Sequence, residues 1–462
     1  MKRFATLLVA AALTGAVPMP QTVPATIFSE WLNAFDSGSR PAMEAFFKRH
    51  SPARVGRTDA ELAFSRTTGG FDVRKVVKSD ATSITVLMQE RGSDEFVQMS
   101  LFVDPASPTT IVRREIVPAE RPASFTLPHL SIDALLPQLD VRAQQDFSAG
   151  RFAGNVLVAR DGKALFSKSY GLADRSSNTP NSAASKFRLG SMNKMFTAVS
   201  IVQLVQAGKL DLDKPFGTYL PDYPNKSVSA AVTLRQLLTH TGGTGDIFGP
   251  AFDKHRLDLK TLQDYVDLYG SRPLLFAPGS KWDYSNFGYI LLGAVIEKVS
   301  GENYYSYVRE HIYEPAGMHD TESEPESVPV TNRTVGYTMD SGQLRPNTDS
   351  LPYRGTSAGG GYSTTADLLR FANALQSHRL LDAAHTQMLF DGSVKTPLGM
   401  DALGFFVQNV NGTTCLGHGG GADGMNGELK ICGRYTVVVL ANLDPPAATR
   451  IADFAANRLP SH

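Results

Sequence analysis

At 462 residues, with 42% hydrophobic and 19% charged side chains, the chain has an ordinary globular composition, long enough for two or three domains and a sizeable core. Lys plus Arg equals Asp plus Glu at 45 each, so no basic surplus draws the protein to nucleic acid or to an anionic membrane. The charges form no long runs, and no internal repeat or low-complexity tract is present.

The first residues, MKRFATLLVAAALTGAVPMPQ, place Lys2 and Arg3 ahead of an apolar stretch from Phe4 to Leu13, followed by small residues and proline. That three-part pattern predicts a secretory signal over 1–25, cleaved between Ala16 and Ala25, and a soluble periplasmic or secreted protein. No later segment offers the roughly 20 apolar residues of a membrane helix. Only Cys415 and Cys432 are present. In an oxidising compartment they can pair, and the sequence leaves the pairing open.

After the signal, TIFSEWLNAFDSGSRPAMEAFFKRH reads as two helices broken around Ser37–Pro41. FDVRKVV, SITVLMQER, EFVQMSLFVD and TIVRREIV follow as four strands with partial period-2 alternation. Together they predict a small α+β domain over 26–118 that loosely resembles cystatin-like or NTF2-like modules. It is read as a spacer or dimer surface before any ligand-binding role. Three prolines in Pro118–Pro128 mark a linker over 119–130.

The remainder, 131–462, opens with a helix around 131–148 and a hairpin turning at Asp161-Gly162. It closes with TTCLGHGG, GELKICG and RYTVVVLANLD as three strands, then the helix PAATRIADFAANRL. Early and late strands with helices at both ends predict an α+β fold: one antiparallel sheet flanked by helices. The middle, roughly 188–400, reads as a helical subdomain inserted between the sheet's two halves, with a cleft where they meet.

In KFRLGSMNKMFTAV, Gly190-Ser191 precedes a helix that keeps Lys194 one turn inside it. Val199, Ile201, Val202, Leu204 and Val205 leave that helix little polar face, and Gly208 stops it. Spacing of three puts Ser191 and Lys194 on the same face. Apolar burial and the positive end of the helix dipole both lower the lysine's pKa, and a neutral amine can take a proton from a serine hydroxyl.

Ser191-Met-Asn-Lys194 resembles the first motif of the serine β-lactamase and penicillin-binding-protein superfamily. Tyr284-Ser285-Asn286, after a Pro278-Gly279 turn, resembles the second; His418-Gly419-Gly420, at the end of a predicted strand, resembles the third. LLTHTGG (237–243) and SAGGGYSTTADLLRF (357–371) resemble segments of the esterase-like, class-C-like branch. The likeness covers about 130–460 and implies a β-lactamase/transpeptidase-like fold.

The resemblance implies roles residue by residue. Ser191 attacks an ester or amide carbonyl, Lys194 and Tyr284 share base and proton-shuttle work, and Asn286 holds the acyl side. His418 orients Tyr284 or the substrate, and Gly420 belongs with it to the substrate-binding set. The backbone N–H groups of Ser191 and Gly421 form an oxyanion hole. It implies a small-molecule ester, amide or peptide substrate and no cofactor. The third motif departs from the Lys-Thr-Gly or Lys-Ser-Gly of penicillin-directed enzymes, so lactam hydrolysis and D-Ala-D-Ala carboxypeptidase chemistry stand as alternatives, as does a non-catalytic sensor.

Competing strings have plainer readings. Gly355-Thr-Ser357-Ala-Gly359 matches an α/β-hydrolase elbow but lacks the strand before it and the helix directly after. Tyr223-Pro-Asn225 sits in a proline turn, His240-Thr-Gly242 reads as a helix end, and Lys395-Thr-Pro397 lacks the glycine. No zinc-hydrolase string or dinucleotide fingerprint occurs, so no metal site is expected.

Overall fold

The computed structural model describes residues 17–340, 342–392 and 394–461. The signal expected over the first residues lies, for 1–16, outside the described residues. Thr22 caps the first helix, Val23–Asp36, and Ala25 is already buried within it. Among the described residues no helix is long and apolar enough to cross a membrane.

The chain divides into two compact units, meeting between Thr126 and Leu127. In the first, helices Val23–Asp36, Arg40–His50 and Thr58–Thr68 precede a four-stranded antiparallel meander. The strands run Phe71–Ser79, Ser83–Glu90, Phe96–Asp104 and Ser107–Ala119, each pairing with the next. Trp31, Phe35 and Phe71 centre its core. The third helix escapes the sequence reading because TDAELAFSRTT has only a thin apolar face, mainly Leu62 and Phe64. Residues after Ala119 still belong to this unit, since the Phe125 ring packs 5.3 Å from that of Phe96.

The second unit is built on an eight-stranded sheet in which every neighbouring pair is antiparallel. Its order is Val394–Thr396, Gly399–Asp401, Phe406–Val410, Thr413–Ala422, Met425–Cys432, Tyr435–Ala441, Gly154–Arg160, Lys163–Tyr170. Alternation sorts its side chains into two cores. Val156, Val158, Val437 and Val439 face helices Ile132–Ser148 and Ala447–Ala456. Leu157, Leu429, Ile431, Val438 and Leu440 face the opposite way, onto a cluster that includes helix Lys194–Gln206. That helix is buried nearly all round, with Met195, Phe196, Ala198, Val199, Ile201 and Val202 each at 0% exposure.

Sheet halves at both ends of the unit, with helices inserted between them, give the architecture implied by the sequence. The three edge strands before Thr413 are additional. At three to five residues, with Gly399 at a turn, they are too short to show a period in the sequence.

Candidate active site

Gly190–Asn193 forms a 3-10 turn that runs directly into helix Lys194–Gln206. Gly190 takes φ +54°, and a Cβ there would lie 3.0 Å from the Gly421 nitrogen. A Cβ at Gly420 would lie 1.9 Å from the Leu189 carbonyl oxygen. The two glycines therefore let the Ser191 turn lie directly against strand Thr413–Ala422, at a separation no side chain permits.

That strand pairs with Phe406–Val410 only as far as Gly417 opposite Phe406, so its last residues expose one edge. Asn426 Nδ2 donates to the Gly420 carbonyl at 2.9 Å, from the neighbouring strand Met425–Cys432. Residues along an antiparallel strand aim their N–H and C=O groups to alternate sides. Gly421 N–H consequently faces the bare edge, where Gly190 and Ser191 lie.

Lys194 is wholly buried, and its Nζ is 3.4 Å from Ser191 Oγ. It donates to Asn286 Oδ1 at 2.7 Å and to the Ala358 carbonyl. A neutral amine has two N–H groups and one lone pair. With both N–H groups engaged, the lone pair is left for the serine hydroxyl. Burial brings the amine down to about 7, opposed by the charge of Asp246. The loop beside it is tied to the same helix through three successive carbonyls: Thr356 accepts from Asn193, Ser357 from Thr197 and Ala358 from Lys194.

Helix Asn286–Ser300 brings in the second motif. Ser285 is its cap, accepting from Gly288 N–H at 2.9 Å, which frees the Asn286 side chain to reach Lys194. Asn286 Nδ2 donates to Asp246 Oδ1 at 2.9 Å, so a carboxylate, an amide and an amine form one chain. The Tyr284 ring lies under the Lys194 amine, 4.7 Å from Nζ to the centroid. Burial raises the phenol's pKa, the Ser191 side chain partly offsetting it, so Tyr284 keeps its hydroxyl proton rather than standing as a phenolate.

His418 lies in strand Thr413–Ala422, 5% exposed, and burial followed by the Lys194 charge lowers it to about 3. Its Nδ1 pairs with its own neighbour's carbonyl, Gly419 O, and Nε2 has no partner among the described residues. Tyr284 and His418 line the same cavity, and a second histidine lies against the phenol: His240 stacks on Tyr284, and its Nδ1 accepts from Ser285 N–H at 3.0 Å. The helix-end reading of His240 is right about its place, just after Leu234–Leu238, and misses this contact.

Asp246, Asp401 and Trp282 also escape the sequence reading. Trp282 Nε1 donates to Asp401 Oδ2 at 2.7 Å, and burial raises that carboxyl to about 7. No local motif marks these residues, whose contacts arise between distant segments. Cys415 and Cys432 face each other across neighbouring strands and are joined by a disulfide.

Two cavities meet at Ser191. One, of about 410 Å3, is lined by Trp282, Tyr284, Phe406, His418 and Glu428. The other, of about 400 Å3, is lined by Ile247, Phe252, Asn286, Ala358 and Met425. Gly421 borders both. Ser357 is fully buried behind the Thr356–Gly360 wall, so its string lines the cleft without presenting the serine, and Asn225 caps a short helix outside both cavities. Among the described residues Glu302, Glu310 and His311 could together face a cation, and none of them lines either cavity.

A family model described as Beta-lactamase matches residues 140–460. Penicillin-binding protein 4* of Bacillus subtilis is 33% identical over 262 residues, 52% of this chain and 56% of the relative. Esterase EstB of Burkholderia gladioli is 34% identical over 226 residues, 45% of this chain and 57% of the relative. The chain thus spans little more than half the length of these curated relatives. A solved penicillin-binding protein from Bacillus halodurans superposes with TM-score 0.62 at 30% identity, covering 69% of this chain and 98% of that one. A D-stereospecific amidohydrolase from Streptomyces sp. gives TM-score 0.59 at 26% identity, covering 68% and 96%.

Proposed function

Because the chain belongs to the Beta-lactamase family, within the serine hydrolase superfamily, we propose that it hydrolyses an ester or amide through a covalent acyl-enzyme on Ser191. The observation that carries this reading is the Lys194 amine, buried completely, held near neutrality at about 7 and 3.4 Å from Ser191 Oγ.

Lys194 Nζ takes the Ser191 proton as Oγ bonds to the substrate's carbonyl carbon. The carbonyl oxygen becomes an oxyanion facing the N–H groups of Ser191 and Gly421, where one lost donor costs about 2.7–4 kcal/mol. Collapse breaks the bond to the leaving alcohol or amine, which takes the proton through the Tyr284 hydroxyl. Water then attacks the acyl-enzyme along the reverse proton path and frees the acid.

Esterase EstB and the D-stereospecific amidohydrolase support ester and amide substrates for this chain. Against a penicillin-directed activity stands the third motif, where Gly419 brings no hydroxyl and His418 no charge. The basic-then-apolar first residues and the Cys415–Cys432 disulfide support a periplasmic or secreted protein. The unit before Leu127 is read as a spacer or dimer surface.

The test is labelling by a fluorophosphonate probe together with pre-steady-state hydrolysis of p-nitrophenyl esters. Wild type should label and release an initial burst of nitrophenol, and Ser191→Ala should do neither. Undiminished labelling of Ser191→Ala would reject the reading.

A further inference from the structure

The two cavities that meet at Ser191 are chemically unlike. Tyr284 and His418 line only the first, and Asn286 and Ala358 only the second. A leaving group must receive its proton from Tyr284, so it lies in the first cavity and the acyl portion enters the second.

The second cavity is walled by Ile247, Phe252, Tyr265, Leu351 and Met425. At its mouth the Phe248 ring is 61% exposed and packs edge-on against Phe252, 5.1 Å between centroids. A large ring left in water beside an apolar hollow gains when a ligand covers both. Charge on the rim points the same way. Asp253 and Asp423 supply two carboxylates, while the one guanidinium, Arg354, is stacked 3.4 Å from the Tyr305 ring centroid and donates to the Ser323 carbonyl. An acyl group carrying a carboxylate would meet two like charges against one guanidinium that is already stacked and hydrogen-bonded.

We propose that this cavity takes an uncharged, bulky apolar acyl group, an arylacyl or medium-chain aliphatic one, and that the protein selects substrates by acyl size. This rests on the acyl-enzyme reading of Ser191. At about 400 Å3 the cavity is of small-molecule size. An acetyl group would leave most of it empty, whereas a hexanoyl or phenylacetyl group would cover its walls and the Phe248 ring.

The experiment measures kcat/KM of the full chain on p-nitrophenyl acetate, butyrate, hexanoate, phenylacetate and hemisuccinate. One leaving group is common to all five, so the first cavity is held constant. Each buried methylene is worth about fourfold, so hexanoate and phenylacetate should exceed acetate by at least about tenfold, with hemisuccinate no better than acetate. Phe248→Ala changes an exposed side chain and should shrink the hexanoate-to-acetate ratio about threefold or more. Leu351→Trp, which fills the cavity, should shrink it too. Equal kcat/KM across the series with Ser191 still labelled, a hemisuccinate preference, or an unchanged ratio in both variants overturns the cavity assignment alone. Loss of both labelling and turnover in wild type overturns the acyl-enzyme reading and this proposal with it.

Discussion

The His240 imidazole stacks on the Tyr284 phenol, with 4.3 Å between ring centroids and 29° between planes. His240 itself holds the left-handed conformation, φ 55°, which a side-chain-bearing residue keeps only where its surroundings fix it. Its carbonyl accepts from Asp283 N–H at 2.9 Å and its Nδ1 from Ser285 N–H at 3.0 Å. Tyr284 thus stands between two bonded neighbours and against an aromatic plate, and its place is set by packing.

His240→Ala should lower kcat about 10- to 100-fold with a smaller change in KM, because a phenol displaced by about an ångström no longer delivers its proton well. His240→Phe keeps the plate and loses the acceptor, so it should retain more activity than the alanine variant. Steady-state kinetics on one p-nitrophenyl ester distinguishes them; equal rates for the two would show that stacking is irrelevant.

Lys194 must be neutral to accept the serine proton, so kcat/KM should rise with pH and level off above about 7. Lys194→Ala should slow acylation about 10²- to 10⁴-fold at every pH. Asp246→Asn removes the charge that holds the amine's pKa up and should move the acidic limb to lower pH. A profile that keeps its midpoint in Asp246→Asn would refute the coupling, whatever the height of the plateau.

The same amine links stability to pH. Between about 7 and 10.5 the unfolded chain carries a proton on Lys194 that the folded chain does not, so stability from this group rises with pH across that window. The slope should approach about 1.4 kcal/mol per pH unit within the window and vanish in Lys194→Met. Urea unfolding at several pH values measures it.

A Cβ placed at Gly419 would lie 2.5 Å from Glu428 Oε1, and the Glu428 carboxyl is itself held by Thr449 Oγ1 at 3.0 Å. Gly419→Thr, which writes the penicillin-directed residue into the third motif, should therefore destabilise the protein by about 1–3 kcal/mol and confer no cephalosporin hydrolysis. Shortening the obstacle with Glu428→Ala should recover part of the melting temperature. Full stability of the single variant would contradict the clash.

Asp401, raised to about 7 by burial, binds the indole of Trp282, while Trp31, the second of two tryptophans, bonds Glu61 Oε1 at 2.8 Å in the other unit. Intrinsic fluorescence should show a transition near pH 7 that disappears in Asp401→Asn and in Trp282→Phe. Persistence of the transition in Trp282→Phe would assign it elsewhere.

What the sequence discloses is what local spacing encodes. Ser191 and Lys194 are one turn apart, Tyr284 and Asn286 flank a helix cap, and His418 lies between glycines in its strand, so each declares itself within a few residues. Asp246, Asp401 and Glu428 act through partners 40, 119 and 21 positions away, and nothing next to them in the chain marks them. His240 sits in a readable string, but the reading that string invites is a helix end. The edge strands from Val394 to Val410 are equally silent, since three residues cannot display alternation.

Sheet pairing beside Thr413–Ala422 stops at Gly417, and beyond it, among the described residues, no further strand continues the sheet on that side. An extended chain carrying amide groups can lie along this edge as a further strand, its main chain meeting glycines that offer no side chains of their own. Docking of that kind would be indifferent to sequence and would leave discrimination to the hollows on either side.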